Sequence, residues 1–233
     1  MRIMCGKNTG MAIVALPSSR RARANARRRT PEIIEAAARV FAERGFHGAT
    51  TQDIADVLGI RQASLYYYFA SKEAALELVC ARGVEGFLEA AAIVAAGPES
   101  ATEKVRRLIL AHLSPLHDRP DFVRVFHNER RHLPPASRRR IAQSVRAYER
   151  VVEEVIRAGV KSGEFRADLD PHLVAFGLLG MVKSVAGWFE KESKTSIKEI
   201  VEAFFVLLIR GIGATDGRRP TRRNREPAAP IDQ

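Results

Sequence analysis

The sequence predicts an all-α protein of about nine helices, a three-helix N-terminal unit followed by a larger helical unit. Three observations predict it. Apolar residues recur at helical spacing from residue 31 to residue 212, strand-like alternation is nearly absent, and no internal repeat is visible. With 233 residues, 46% of them hydrophobic, the chain can bury a substantial core.

Each element carries its own signal. The first helix spans about 31–44, with Thr30 as N-cap, Pro31 in the first turn and Gly45 as a left-handed end. Ile33, Ala37, Val40 and Phe41 form its apolar stripe. The second spans about 51–58, where Thr50 and Asp53 make a capping-box pair and Gly59 ends the turn. A short third helix covers about 62–68, and the fourth follows Ser71 as N-cap to about 94, before Gly97-Pro98. The fifth to ninth are expected at about 100–116, 121–131, 135–162, 171–190 and 196–212, with Gly163 closing the seventh and Pro171 opening the eighth. The chain divides into a disordered basic arm (1–29), a DNA-binding domain (30–80), a ligand-binding and dimerisation domain (81–213) and a disordered tail (214–233).

Charge is unevenly spread. The net charge is +11, and residues 1–29 hold eight basic side chains (Arg2, Lys7, Arg20, Arg21, Arg23, Arg27, Arg28, Arg29) and no acid. A basic arm beside a nearly balanced body suits a polyanion such as DNA, by non-specific attraction more than by reaching a minor groove. Two cysteines, Cys5 and Cys80, build neither a disulfide framework nor a zinc site. The longest uncharged apolar stretch, Leu173 to Val182, is far short of the roughly 20 residues of a spanning helix. A cytoplasmic protein without metal or cofactor is the expectation.

Residues 51–70 carry the strongest signal. A helix-turn-helix needs a small residue where its helices cross, a glycine at the turn and apolar side chains locking the pair. Ala55, Gly59, and Ile54, Leu58, Ile60, Leu65 and Phe69 meet those needs in order. Arg61, Gln62, Ser64 and Tyr67 are left on the outer face, where arginine reads guanine and glutamine reads adenine in a major groove. An ordinary helical hairpin with a polar face is the plainer alternative.

The run from Ala49 to Glu73 resembles the signature of the TetR family of repressors, through Leu65-Tyr66, Tyr68-Phe69 and Ser71-Lys72-Glu73 in order and spacing. The resemblance extends over about residues 31–80 and includes the first helix from Ala36 to Phe46. It implies that Tyr66 and Tyr68 hydrogen-bond phosphates, that Lys72 sets a charge on the DNA backbone, and that Thr51 and Gln52 touch phosphate. It also implies that Arg61, Gln62, Ala63 and Ser64 face base edges. Arg61 stands where the family usually has Ser or Thr, and Tyr68 replaces the commoner His, so base preference is not carried over. Tyr66 and Tyr68 are also compatible with plain core packing, Tyr67 less so.

The second half supplies material for an effector pocket: His112, Phe122, Phe126, Arg130, Tyr148, Phe176 and Trp188 are the candidate ligand-binding residues, with a solid core as the alternative. Arg130, Arg131, His132, Arg138, Arg139 and Arg140 cluster around Pro134-Pro135 as a basic mouth for an anionic head group. The stretch Ser162–Pro171, with Leu178-Leu179-Gly180, is similar to TetR regulators of fatty-acid, acyl-CoA or steroid breakdown, which implies an acyl-CoA or other lipid-derived effector. The eighth and ninth helices, about 171–212, resemble the family's dimerisation pair, and the ninth offers more apolar surface than one neighbour can cover. The resulting expectation is a homodimeric repressor on a palindromic, double-stranded operator, released by a small molecule that shifts the fourth helix. A regulator of an efflux pump answering apolar drugs is the alternative. An enzyme is disfavoured, because His112, His117, His127 and His132 show no metal-ligand spacing and no nucleophile motif or phosphate loop appears.

Overall fold

The computed structural model describes residues 20–189 and 194–214, with side chains from Arg29 onward. The expected disordered segments at 1–19 and 215–233, and Cys5, lie outside the described residues. Helices α1 (Arg20–Gly48), α2 (Thr51–Leu58), α3 (Gln62–Leu65) and α4 (Lys72–Ala96) build the head. They are followed by α5 (Ala101–Leu113), the single turn α6 (Pro115–Asp118), α7 (Pro120–Asn128), a 3-10 turn (Arg130–His132), α8 (Pro135–Ser162), α9 (Pro171–Val185) and α10 (Ile197–Ile212). Among the described residues there is no strand, only an isolated bridge between Phe165 and Gly213.

Local signals explain most boundaries. Thr50 and Asp53 close a reciprocal capping box at α2, and Gly59 takes the left-handed φ of 62° that ends it. Ser71 caps α4 and Asp170 caps α9. Ser196 and Glu199 form a second capping box at α10.

The start of α1 differs from expectation. It begins at Arg20, so Thr30 is not an N-cap and residues 20–29 are helical where an irregular arm was expected. Alanine and arginine have high helix propensity, and Pro31 inside the helix removes a single backbone donor. The helical path breaks at Gly45 (φ 67°, ψ 168°), as its glycine predicts.

Two apolar cores share α4. The head core joins Phe41, Ile54, Leu65, Phe69 and Leu76 to Val125, Leu133 and Ile141 from α7, its following turn and α8. The head is therefore seated on the second half by buried contacts. Cys80 lies in this core, and burial pushes its thiol up to about 12, which leaves it unreactive. The second core joins α5, α8, α9 and α10 around Leu108, Val152, Ile156, Leu178 and Val201.

The turn after α8 ties three helix ends together. Glu164 accepts from the Ala101 and Thr102 amides that open α5, at 3.0 and 2.9 Å. Arg166 N–H donates to the Ile212 carbonyl at the end of α10, and Phe165 is sealed to 1% exposure. Gly159 makes this possible: a Cβ there would strike the Phe165 ring and stand 2.8 Å from Ala101 Cβ. Gly159→Ala is expected to destabilise the protein by roughly 1–3 kcal/mol through overpacking, read as a lower urea midpoint. An unchanged midpoint would mean the turn is not packed this way.

Candidate DNA-binding head and effector cleft

The helix-turn-helix forms as its residues dictate. Ala55 is fully buried where α2 and α3 cross, and Ile60 N–H reaches back to the Ala55 carbonyl at 3.1 Å. Leu65 and Phe69 point into the head core, which turns Arg61, Ala63, Tyr66 and Tyr67 to solvent. Tyr66 is 50% and Tyr67 58% exposed, unusual for tyrosines without a partner surface. Helix α3 is one turn, Gln62–Leu65, shorter than the expected 62–68; residues 66–68 continue as a turn.

The remaining head residues are less free than their sequence positions suggest. Gln62 donates to Thr51 Oγ1 at 2.6 Å, joining two expected DNA contacts into one unit. Gln52 donates to Asp56, Ser64 is half-buried, and Tyr68 packs partly on the head core. Lys72 differs most. Its ammonium donates to the Phe46 and Ala49 carbonyls at 2.7 and 2.9 Å and lies 4.5 Å from the Phe46 ring centroid. Lysine has three donors, so one at most is left for a phosphate.

Phe46 is the hub of a corner between head and body. Its amide donates to the Glu129 carboxylate at 2.9 Å, and its ring stacks on His132 at 5.4 Å and 11°. His47 meets His132 edge-on at 4.4 Å. Arg131 Nε donates to His132 Nε2 at 3.2 Å, which leaves the Glu129 carboxylate, 3.6 Å from that nitrogen, a near neighbour. The 3-10 turn thus holds the α1–α2 corner with Glu129 and His132. Sequence spacing has no signal for this contact, 83 residues apart between Phe46 and Glu129.

The same turn borders a cleft of about 520 Å³ between α7 and α8. Arg130, Arg131, Arg138 and Arg146 rim it over a floor of Phe126, Leu133, Ile141 and Val145. Arg130 lies over the Phe126 ring at 4.9 Å. Arg138 and Arg146 stand two helical turns apart on α8, a periodicity legible in the sequence but not drawn from it. Two members of the expected basic mouth go elsewhere: Arg140 binds Glu77 of α4 at 2.6 and 2.8 Å, holding the Glu77 carboxyl below its usual range, and His132 serves the corner. Arg139 is exposed and is not among the residues bordering the cleft.

The seven candidate ligand residues do not converge on one cavity. Phe126 and Arg130 border this cleft, whereas Phe122 lines a separate groove on α4. Half-buried His112 is hydrogen-bonded to Tyr148 of the second core at 2.7 Å. Trp188 packs on the second core. Phe176, 49% exposed, lines a separate pocket of about 270 Å³ between α8 and α9 with Arg146 and His172, while Leu173 of α9 and Leu207 of α10 are each 66% exposed. Amphipathic spacing alone does not separate a pocket wall from an interface. Among the described residues no group of acidic, histidine or cysteine side chains is placed to hold a metal, and no helix is long and apolar enough to cross a membrane.

A tyrosine-bearing helix-turn-helix seated on a helical half with a charged, effector-sized cleft defines a DNA-binding regulator. Residues 33–79 match the bacterial regulatory proteins of the tetR family, and residues 98–212 match the tetracyclin repressor-like C-terminal domain. A TetR/AcrR-family transcriptional regulator from Thermobifida fusca is 31% identical over 82% of this chain and all of its own, with a TM-score of 0.66. The HTH-type transcriptional repressor KstR2 of Rhodococcus jostii is 28% identical over 193 residues, 80% of this chain and 92% of the relative. FadR of Bacillus subtilis, solved in complex with stearoyl-CoA, is 26% identical with a TM-score of 0.70, covering 78% of this chain and 98% of its own. The chain belongs to the TetR family of transcriptional regulators.

Lys72→Met keeps the aliphatic stem but leaves the Phe46 and Ala49 carbonyls without their donor. The variant is expected to lose roughly 1–3 kcal/mol of stability in urea without DNA present. Unchanged stability together with weakened DNA binding would assign Lys72 to phosphate alone.

Proposed function

We propose that this protein is a repressor that grips a palindromic operator as a twofold dimer and lets go when an acyl-CoA occupies the cleft between α7 and α8. Arg61, Gln62, Ala63 and Ser64 face base edges, with Tyr66, Tyr67, Thr51 and Gln52 along the phosphates. Pairing through the exposed apolar faces of α9 and α10 places two recognition turns about 34 Å apart. Gly177 and Gly180 of α9, where an added Cβ meets nothing, allow a partner helix to approach closely.

The observation that carries the effector reading is the cleft itself. Four arginines around an apolar floor match a ligand with phosphates at one end and hydrocarbon at the other. Apolar drugs lack the anionic end those arginines would meet. Support also comes from KstR2 being a repressor and FadR having been solved with stearoyl-CoA. An anion in the cleft draws on Arg130 and Arg131, and the turn they belong to holds the head through Glu129 and His132. Binding there favours a different seat for the head, and operator affinity falls.

The test is calorimetric titration with stearoyl-CoA, followed by its effect on operator selected from random DNA. The Arg130→Gln/Arg138→Gln double variant is expected to bind stearoyl-CoA about tenfold more weakly, roughly 1.4 kcal/mol. Absence of binding by acyl-CoAs of every chain length, or unchanged affinity in the double variant, would overturn the reading.

A further inference from the structure

The pocket of about 270 Å³ between α8 and α9 shares Arg146 and Glu149 with the basic cleft, so it continues the cleft along α8. Its walls repeat at one-turn spacing: Arg146 and Arg150 on α8, His172 and Phe176 on α9. Buried Ala175 and Leu179 form the floor. His172 meets the Phe176 ring edge-on, at 4.6 Å and 84°, and the phenyl ring stays half exposed.

The charges around this pocket are unevenly committed. Glu149 accepts from the Lys183 ammonium at 3.2 Å. His172 Nδ1 lies 2.9 Å from the Glu153 carboxylate, which also accepts from Arg157. Arg146 and Arg150 make no hydrogen bond or ion pair among the described residues. Both acids are therefore answered from within the fold, while both guanidiniums keep their N–H donors for an outside acceptor. Unpaired arginines on an open surface are simply solvated. Here they flank an exposed aromatic ring, and a guanidinium fork beside a ring recognises a phosphate and a base together.

We propose that the α8–α9 pocket is the nucleotide subsite of the effector site, where an adenine stacks on Phe176 and Arg150 and Arg146 take the phosphate on its ribose. The inference rests on the acyl-CoA reading and deepens it by placing the end of that ligand which the cleft leaves unassigned. CoA carries a pyrophosphate between its pantetheine arm and an adenosine 3′-phosphate. With the pyrophosphate among the cleft arginines, the next group along the molecule is the phosphorylated nucleoside. The next space along α8, past the shared Arg146, is this pocket. On α9, Phe176 stands at the edge of the stripe Leu173, Gly177 and Gly180 that a partner subunit covers. The nucleotide thus lies beside the subunit interface rather than inside it.

Calorimetry on the full-length protein tests this with stearoyl-CoA and S-stearoyl-4′-phosphopantetheine, which keeps the acyl chain and one phosphate but lacks the nucleotide. Wild type is expected to bind stearoyl-CoA at least about tenfold more tightly than the truncated thioester. In Arg150→Gln/Phe176→Leu, stearoyl-CoA is expected to weaken about tenfold, while the truncated thioester binds as it does to wild type. Sedimentation checks that the variant keeps the wild-type oligomeric state. Equal affinity of wild type for the two probes overturns the subsite and leaves the acyl-CoA reading standing. A variant that weakens both probes alike, or neither, does the same. So does a variant that loses the dimer, because Phe176 then belongs to the subunit interface. Failure of both probes to bind wild type overturns both readings. If the double variant does not fold, Arg150→Gln alone, at an exposed position, decides with the same two probes.

Discussion

The structure depends on how Phe46 is held. One side of its residue belongs to the head, where the Lys72 ammonium spans the Phe46 and Ala49 carbonyls and touches the ring. The other side belongs to the body, where the Glu129 carboxylate accepts a hydrogen bond from the amide and His132 covers the ring. Charge-assisted bonds at both faces of one residue make the α1–α2 corner a rigid joint rather than a tether. The orientation of α3, and so the spacing of two recognition turns in a dimer, follows from the geometry of that joint.

Regulation then needs little material. The turn that holds the corner is three residues long, and two of those residues, Arg130 and Arg131, rim the basic cleft. In the proposed mechanism, a ligand that recruits their guanidiniums would compete, through one short backbone segment, with the seat of the head. The shared head core, which includes Val125, Leu133 and Ile141, spreads any such shift over packed side chains. Two arrangements of a packed core are the usual substrate for a switch, and the proposed mechanism sets arginine to anion in one state against Glu129 and His132 to Phe46 in the other.

Much of this was legible in local sequence. Thr50 with Asp53, Ala55 with Gly59, Ser71, Gly163 and Pro171 each act within four residues of their own position, and each marks the boundary or crossing expected of it. What was not legible acts at long range. Lys72 has the look of a phosphate contact because it opens a helix beside tyrosines, yet its partners lie 26 and 23 residues back. His132 and Arg140 belong to a basic cluster by count, but tertiary contacts assign one to an aromatic corner and the other to Glu77. Phe176 lines a pocket between α8 and α9, apart from the cleft that Phe126 and Arg130 border. The early start of α1 at Arg20 shows alanine and arginine propensity outweighing a proline that reads as a first turn.

The most direct measurement compares wild type with Glu129→Ala, taking operator dissociation constants at fixed salt with and without saturating stearoyl-CoA. Loss of the acceptor for the Phe46 amide should tighten ligand binding at the cleft, because that contact no longer competes with it. The factor by which ligand weakens operator binding should fall at least about fivefold, the low end of typical coupling between sites. An identical factor in both proteins would show that the signal does not pass through this corner, and the account would fail.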